Sequence, residues 1–113
     1  MPTITRTLKV RTDAEGRYET SQTFNPPGFW DYNVSASAAL LAPADTTISG
    51  TISITAANHS TDNPPKDFRI STGETVDLGS WRLDGGDNVI RVTGQTAPAR
   101  ANEIIEIQVT GEV

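Results

Sequence analysis

The sequence contains no cysteine and a single histidine, His59, among its 113 residues. Without cysteine there is no disulfide and no thiolate metal site, so the disulfide-centred antibody type of immunoglobulin domain is excluded. One histidine is too few for a histidine-based metal centre. It would also have to serve any Ser-His-Asp triad, and no nucleophile-elbow pattern accompanies it. We therefore expect no metal, no cofactor and no catalytic residue, so the protein is not expected to be an enzyme.

Long apolar runs are also missing. None approaches the ~20 residues of a membrane-spanning helix, and the first residues do not have the pattern expected of a signal peptide. Lys and Arg are absent from residues 18–65, and the formal net charge is −5. Because nucleic acids and anionic membranes bind concentrated basic surfaces, neither partner is expected. The cellular compartment stays unknown.

Short runs of alternating apolar and polar residues, separated by Gly, Pro, Asn and Asp, make up most of the chain. About eight such runs, with no long helical pattern, predict an antiparallel β-sandwich of about 7–8 strands. We expect one all-β domain over residues 1–113, immunoglobulin-like or transthyretin-like, without significant helix. The last two runs, 83–93 and 103–110, predict an antiparallel hairpin.

The first run, 3–11, predicts an edge strand. Arg6 breaks its alternation, and an inward-pointing charge is one known protection against edge-to-edge pairing. Lys9 and Arg11 add further charge to the same strand.

Several segments resemble known β-sandwich modules. The segment 12–18, Thr-Asp-Ala-Glu-Gly-Arg-Tyr, resembles a turn of carboxypeptidase-regulatory-like (transthyretin-like) domains, and 27–34 is similar to their following strand. The segments 49–56, 86–92 and 105–109 resemble strands of bacterial immunoglobulin-like modules. The resemblance implies an accessory, adhesive or structural module, and thus binding rather than catalysis.

Three groups of residues suggest specific sites. Asp84–Asn88 offers oxygen ligands, but too few for calcium, so a turn is expected. Stacking on sugars is conceivable for three aromatic residues, Trp30, Tyr32 and Trp81. They alternate in register with aliphatic residues of the same runs, so we expect them in the core. Phe29 does not share this register and is the better candidate for an exposed aromatic. The alternate hydroxyls of 47–55 are expected on an outward face.

Strand alternation also predicts which loops lie together. If consecutive strands run antiparallel, the segments 25–29, 57–66 and 84–87 share one end of the sandwich, which we call the proline rim. The opposite end holds 12–16, 39–46, 73–75 and 94–102. Because loops on a rigid scaffold often carry binding, candidate ligand-binding residues on the proline rim are Phe29, His59, Asp62, Asn63, Asp84 and Asp87. At the opposite end the candidates are Gln95 and Arg100.

These features favour a non-catalytic interaction or structural module. It would bind a protein partner, or assemble with itself, through loop rims and edge strands. The alternative is a carbohydrate- or small-ligand-binding module that uses the proline rim, with a glycan as a possible partner.

Overall fold

Eight β-strands and no helix make up the part of the chain that the computed structural model describes, residues 3–25, 32–56, 63–83 and 86–112. The prediction of an all-β antiparallel sandwich is confirmed. The strands are β1 (Thr3–Arg11), β2 (Arg17–Phe24), β3 (Tyr32–Ala42), β4 (Thr47–Ala56), β5 (Lys66–Ser71), β6 (Thr75–Leu83), β7 (Asn88–Ala97) and β8 (Ile104–Glu112).

The strands form two four-stranded sheets, in the orders β1-β8-β3-β6 and β2-β7-β4-β5. Within them the chain pairs first strand with last, second with seventh, third with sixth and fourth with fifth, always antiparallel. This pairing is the jelly-roll arrangement of a double-sheet sandwich. In immunoglobulin domains, by contrast, the first and second strands are neighbours in one sheet. The similarity to those modules is thus one of architecture and turn chemistry.

The predicted hairpin over 83–93 and 103–110 is wrong, although both segments form strands. β7 lies between β2 and β4 in one sheet, whereas β8 lies between β1 and β3 in the other. The connecting residues 98–103 cross from one sheet to the other at the end of the sandwich. Alternation fixes which face of a strand is buried, but it does not choose the neighbouring strand.

The core lies between the sheets and contains the apolar member of each alternating run. Ile107 is 1% exposed and Trp81 only 3%, so Trp81 is a core residue as expected. Trp30 lies outside the described residues. On β4 the isoleucines point inward, and the hydroxyl row of 47–55 lies on the outer face, also as expected.

Four strands are edges: β1 and β6 of one sheet, and β2 and β5 of the other. The prediction that 3–11 is an edge strand is therefore confirmed. Arg6 is half-buried on it and lines a small internal cavity with Ile4 and Val34. β1 and β2 lie beside each other at one open side of the sandwich.

Hydrogen bonds join the loops at the end opposite the proline rim. The Thr12 hydroxyl donates to the Arg100 carbonyl, and the amide of Thr72 donates to the Thr46 carbonyl at 2.9 Å. The Arg100 side chain reaches the Asp45 carbonyl at 3.0 Å. The predicted grouping of these loops at one end is confirmed.

Candidate functional site

The strand ends that flank the proline rim lie side by side, because Phe24 of β2 and Ala56 of β4 are both register partners of Asn88 on β7. The predicted site residues Phe29, His59, Asp62 and Asp84 lie outside the described residues, so their roles stay predictions.

The other two predicted residues of the proline rim are described and differ in their surroundings. Asn63 is buried, and its side-chain amide donates to the Arg82 carbonyl at 2.8 Å and accepts from the Arg82 amide at 2.7 Å. It therefore braces the start of β5 against the end of β6. Asp87 is exposed just before β7.

The two candidates at the opposite end also differ in their surroundings. Gln95 is exposed on the outer face of β7, in the strand rather than in a loop. The amide of Arg100 donates to the Thr96 hydroxyl at 2.7 Å, and its side chain contacts Asp45. Arg100 thus ties two connections together.

Within the described ranges no three His, Cys, Asp or Glu side chains gather in a way that could hold a metal ion. Over the same residues no helix is long and apolar enough to cross a membrane.

An open groove lies between the edge strands β1 and β2. This groove has a volume of about 580 Å³ and is lined by Val10–Asp13 of β1 and its turn, Arg17–Glu19 of β2, and Thr93 and Gly94 of β7. The β1–β2 turn closes one end. Further along, the Gln22 side chain donates to the Thr7 carbonyl at 3.4 Å and joins the two strands again.

Tyr18 and Gly94 form the floor of the groove, and they face each other in the β2–β7 register. Tyr18 is only 5% exposed, and its hydroxyl has no hydrogen-bond partner among the described residues. Burial raises the pKa of this phenol well above its ordinary value, so it stays protonated. A Cβ on Gly94 would overlap the Tyr18 hydroxyl and the Ser49 carbonyl oxygen. Only a glycine at position 94 leaves room for the Tyr18 ring.

Charged side chains surround the mouth of the groove. Asp13 accepts hydrogen bonds from the amides of Glu15 and Arg17, both at 2.9 Å. The Arg17 amide lowers the pKa of the Asp13 carboxyl most, so this turn aspartate is ionised near neutral pH. Glu19 pairs with Arg91. The exposed Arg17 guanidinium makes no hydrogen bond or ion pair with any described residue.

Sequence reasoning missed the groove because its two walls belong to different sheets. An isolated glycine inside a strand signals close approach of another group, but the predicted strand ended at residue 93 and left Gly94 in a loop, whereas β7 continues to Ala97. The neighbour of Gly94 could not be named without the strand order.

Comparison with known proteins gives little further information. No family model matches the chain, and no curated protein matches it. A solved structure that aligns with it is that of the Clostridium thermocellum endo-1,4-β-D-xylanase 10B CBM22-1 and GH10 modules with xylohexaose. The match has a TM-score of 0.27 and 12% identity, and it covers 95% of this chain but only 24% of the xylanase chain. At this TM-score the match carries no conclusion about function.

Proposed function

We propose that the protein is a non-catalytic interaction module that binds an extended segment of a partner protein along the edge strand β2. The observation that carries the proposal is a difference among the four edges. Natural sheets protect edges with charges, bulges, prolines or short strands, because an open edge pairs with other chains. β2 has the least of this protection.

Three of the edges carry such devices. β1 has the half-buried Arg6 together with Lys9. β5 is only six residues long and follows Pro64 and Pro65. β6 has a bulge before Gly79, whose φ is +80°.

β2 shares with β5 two flanking prolines, Pro26 and Pro27, but it differs from the other edges in its length, its register or its lack of an inward charge. It is eight residues long, and its register with β7 is continuous from Arg17 to Phe24. It contains no proline or lysine, and residues 20–24 carry no charge. Its outer side has no partner strand among the described strands.

Strand addition at such an edge gains main-chain hydrogen bonds, and pockets for alternate side chains give specificity. The groove that Tyr18 lines adjoins this edge, and in the proposed mode it receives an inward side chain of the added strand. It supplies the pocket that this mode of recognition requires.

The test is a selection of random extended peptides against the protein, followed by NMR mapping of the enriched peptides. We expect the largest amide shifts on β2 and loss of binding in Thr20→Lys, which repeats on β2 the inward charge of Arg6. The matched control is Thr5→Lys, on the outward face of β1, which should bind normally. If Thr20→Lys fails to fold, the exposed Ser21→Lys replaces it. Enriched peptides that shift only residues away from β2 would refute the proposal.

The alternative of a carbohydrate- or small-ligand-binding proline rim has its own test. A glycan array with the wild type and Phe29→Ala decides it. Binding that Phe29→Ala removes would favour the alternative, whereas an array without any bound glycan would end it.

A further inference from the structure

The groove and the charges at its mouth restrict which segment can add to β2. In an added strand, residues directly opposite each other share a face of the sheet. The residue opposite Tyr18 therefore points inward, and its neighbour in sequence, opposite Arg17, points outward. This adjacency holds for either strand direction.

The inward position is apolar at its base and spacious. The half-buried Val10 and the Tyr18 ring line it, and it opens into the groove of about 580 Å³. A large aliphatic or aromatic side chain would cover the half-buried Val10 and would itself leave water, which is the main source of favourable free energy for such a contact.

The outward position faces a positive charge. Glu19 already pairs with Arg91, and the Asp13 carboxylate accepts two backbone amides of its own turn. Of the two charged residues on β2, only Arg17 has a side chain without a hydrogen bond or ion pair to a described residue, although its charge also attracts the Asp13 carboxylate. A guanidinium offers five N–H donors suited to a carboxylate.

We infer that the segment that binds β2 carries an acidic residue adjacent to a large apolar residue, which face Arg17 and Tyr18 respectively. This inference rests on the proposed function, because it assumes strand addition at β2. It adds the chemical class of the partner, an acidic-apolar extended peptide.

The test is a titration with the peptide acetyl-Ser-Thr-Val-Thr-Leu-Glu-Ser-amide, followed by amide shifts. Two further peptides replace its Glu by Lys or its Leu by Ser. The wild type should bind the Glu peptide about three- to fivefold more tightly than the Lys peptide, the size of a cross-strand ion pair. Loss of Leu should weaken binding by about tenfold or more.

Charge reversal on the protein supplies the matched control. Arg17→Glu should reverse the preference between the Glu and Lys peptides. Arg69→Glu should leave it unchanged, since Arg69 lies in the same cross-sheet row but on the far edge, β5. Both side chains are exposed, so both variants should fold.

The outcomes separate the two proposals. Two outcomes would refute this inference and leave strand addition standing. In the first, the selected peptides bind along β2 but show no preference for the residues opposite Arg17 and Tyr18. In the second, the selected peptides bind but the Glu peptide does not bind at millimolar concentration. If no peptide of either kind shifts β2 amides, both are refuted.

Discussion

The edge strands β1 and β2 lie beside each other at the same open side of the sandwich, yet only β1 is protected. Each has a buried residue opposite a glycine of its neighbour, Ile4 opposite Gly111 and Tyr18 opposite Gly94. On β1 the next inward position is Arg6, whereas on β2 it is the uncharged Thr20. In the proposed function, this difference blocks pairing at one edge and leaves the adjacent edge available.

The largest expected effect is the difference in stability loss when each of the two glycines is replaced by alanine. A methyl group at Gly94 meets backbone and the Tyr18 ring, so Gly94→Ala should destabilise the fold by about 3 kcal/mol. At Gly111 the nearest atom is a Val34 methyl at 3.2 Å, which can give way. Gly111→Ala should therefore cost less than about 1 kcal/mol. Urea unfolding of both variants measures this, and equal losses would contradict the difference between the two edges.

Removal of the inward charge of Arg6 should make β1 more like β2, although Lys9 and Arg11 remain on β1. Arg6→Val restores an apolar inward residue on a nine-residue edge strand, so we expect concentration-dependent self-association. Light scattering of the variant and the wild type over a concentration series checks this. A variant that associates no more than the wild type would show that Arg6 does not guard β1.

The buried hydroxyl of Tyr18 should be dispensable for stability. Because it has no hydrogen-bond partner in the described structure, Tyr18→Phe removes a desolvated polar group. We expect unchanged stability or a gain of up to about 1 kcal/mol. Thermal unfolding compares the two proteins, and a clear loss of stability would mean that the hydroxyl is bonded in solution.

The smallest effect concerns the turn that joins the two edges. The lowered pKa of Asp13 means that its contribution to stability is present above its ordinary value of 3.8 and is lost as the pH falls through the lower folded value. Asp13→Asn should therefore melt below the wild type at neutral pH, and this gap should close in acid. Melting curves across the acid range test the sign, and a gap that stays constant with pH would contradict it.

The sequence predicted the strands and their buried faces well because alternation reports which side of a strand meets the core. It also identified β1 as an edge, since Arg6 stands where an apolar residue belongs. The sequence did not predict which strands pair, because β7 and β8 are adjacent in sequence but lie in different sheets. The groove depends on that strand order, because Val10 and Tyr18 approach each other only after the sheets stack. Of the predicted site residues, Asn63 holds the start of β5 against β6 and Arg100 joins two loops. These contacts depend on the strand order, so residue type alone could not predict them, and a role in binding stays a prediction for both residues.

The most direct test of the central claim is a set of intermolecular backbone nuclear Overhauser effects between the protein and a selected peptide. We predict contacts between peptide protons and the backbone of Tyr18, Thr20 and Gln22, with the alternating pattern of an added strand. A bound peptide whose contacts lie on the proline rim or on β1, with none to β2, would contradict the account.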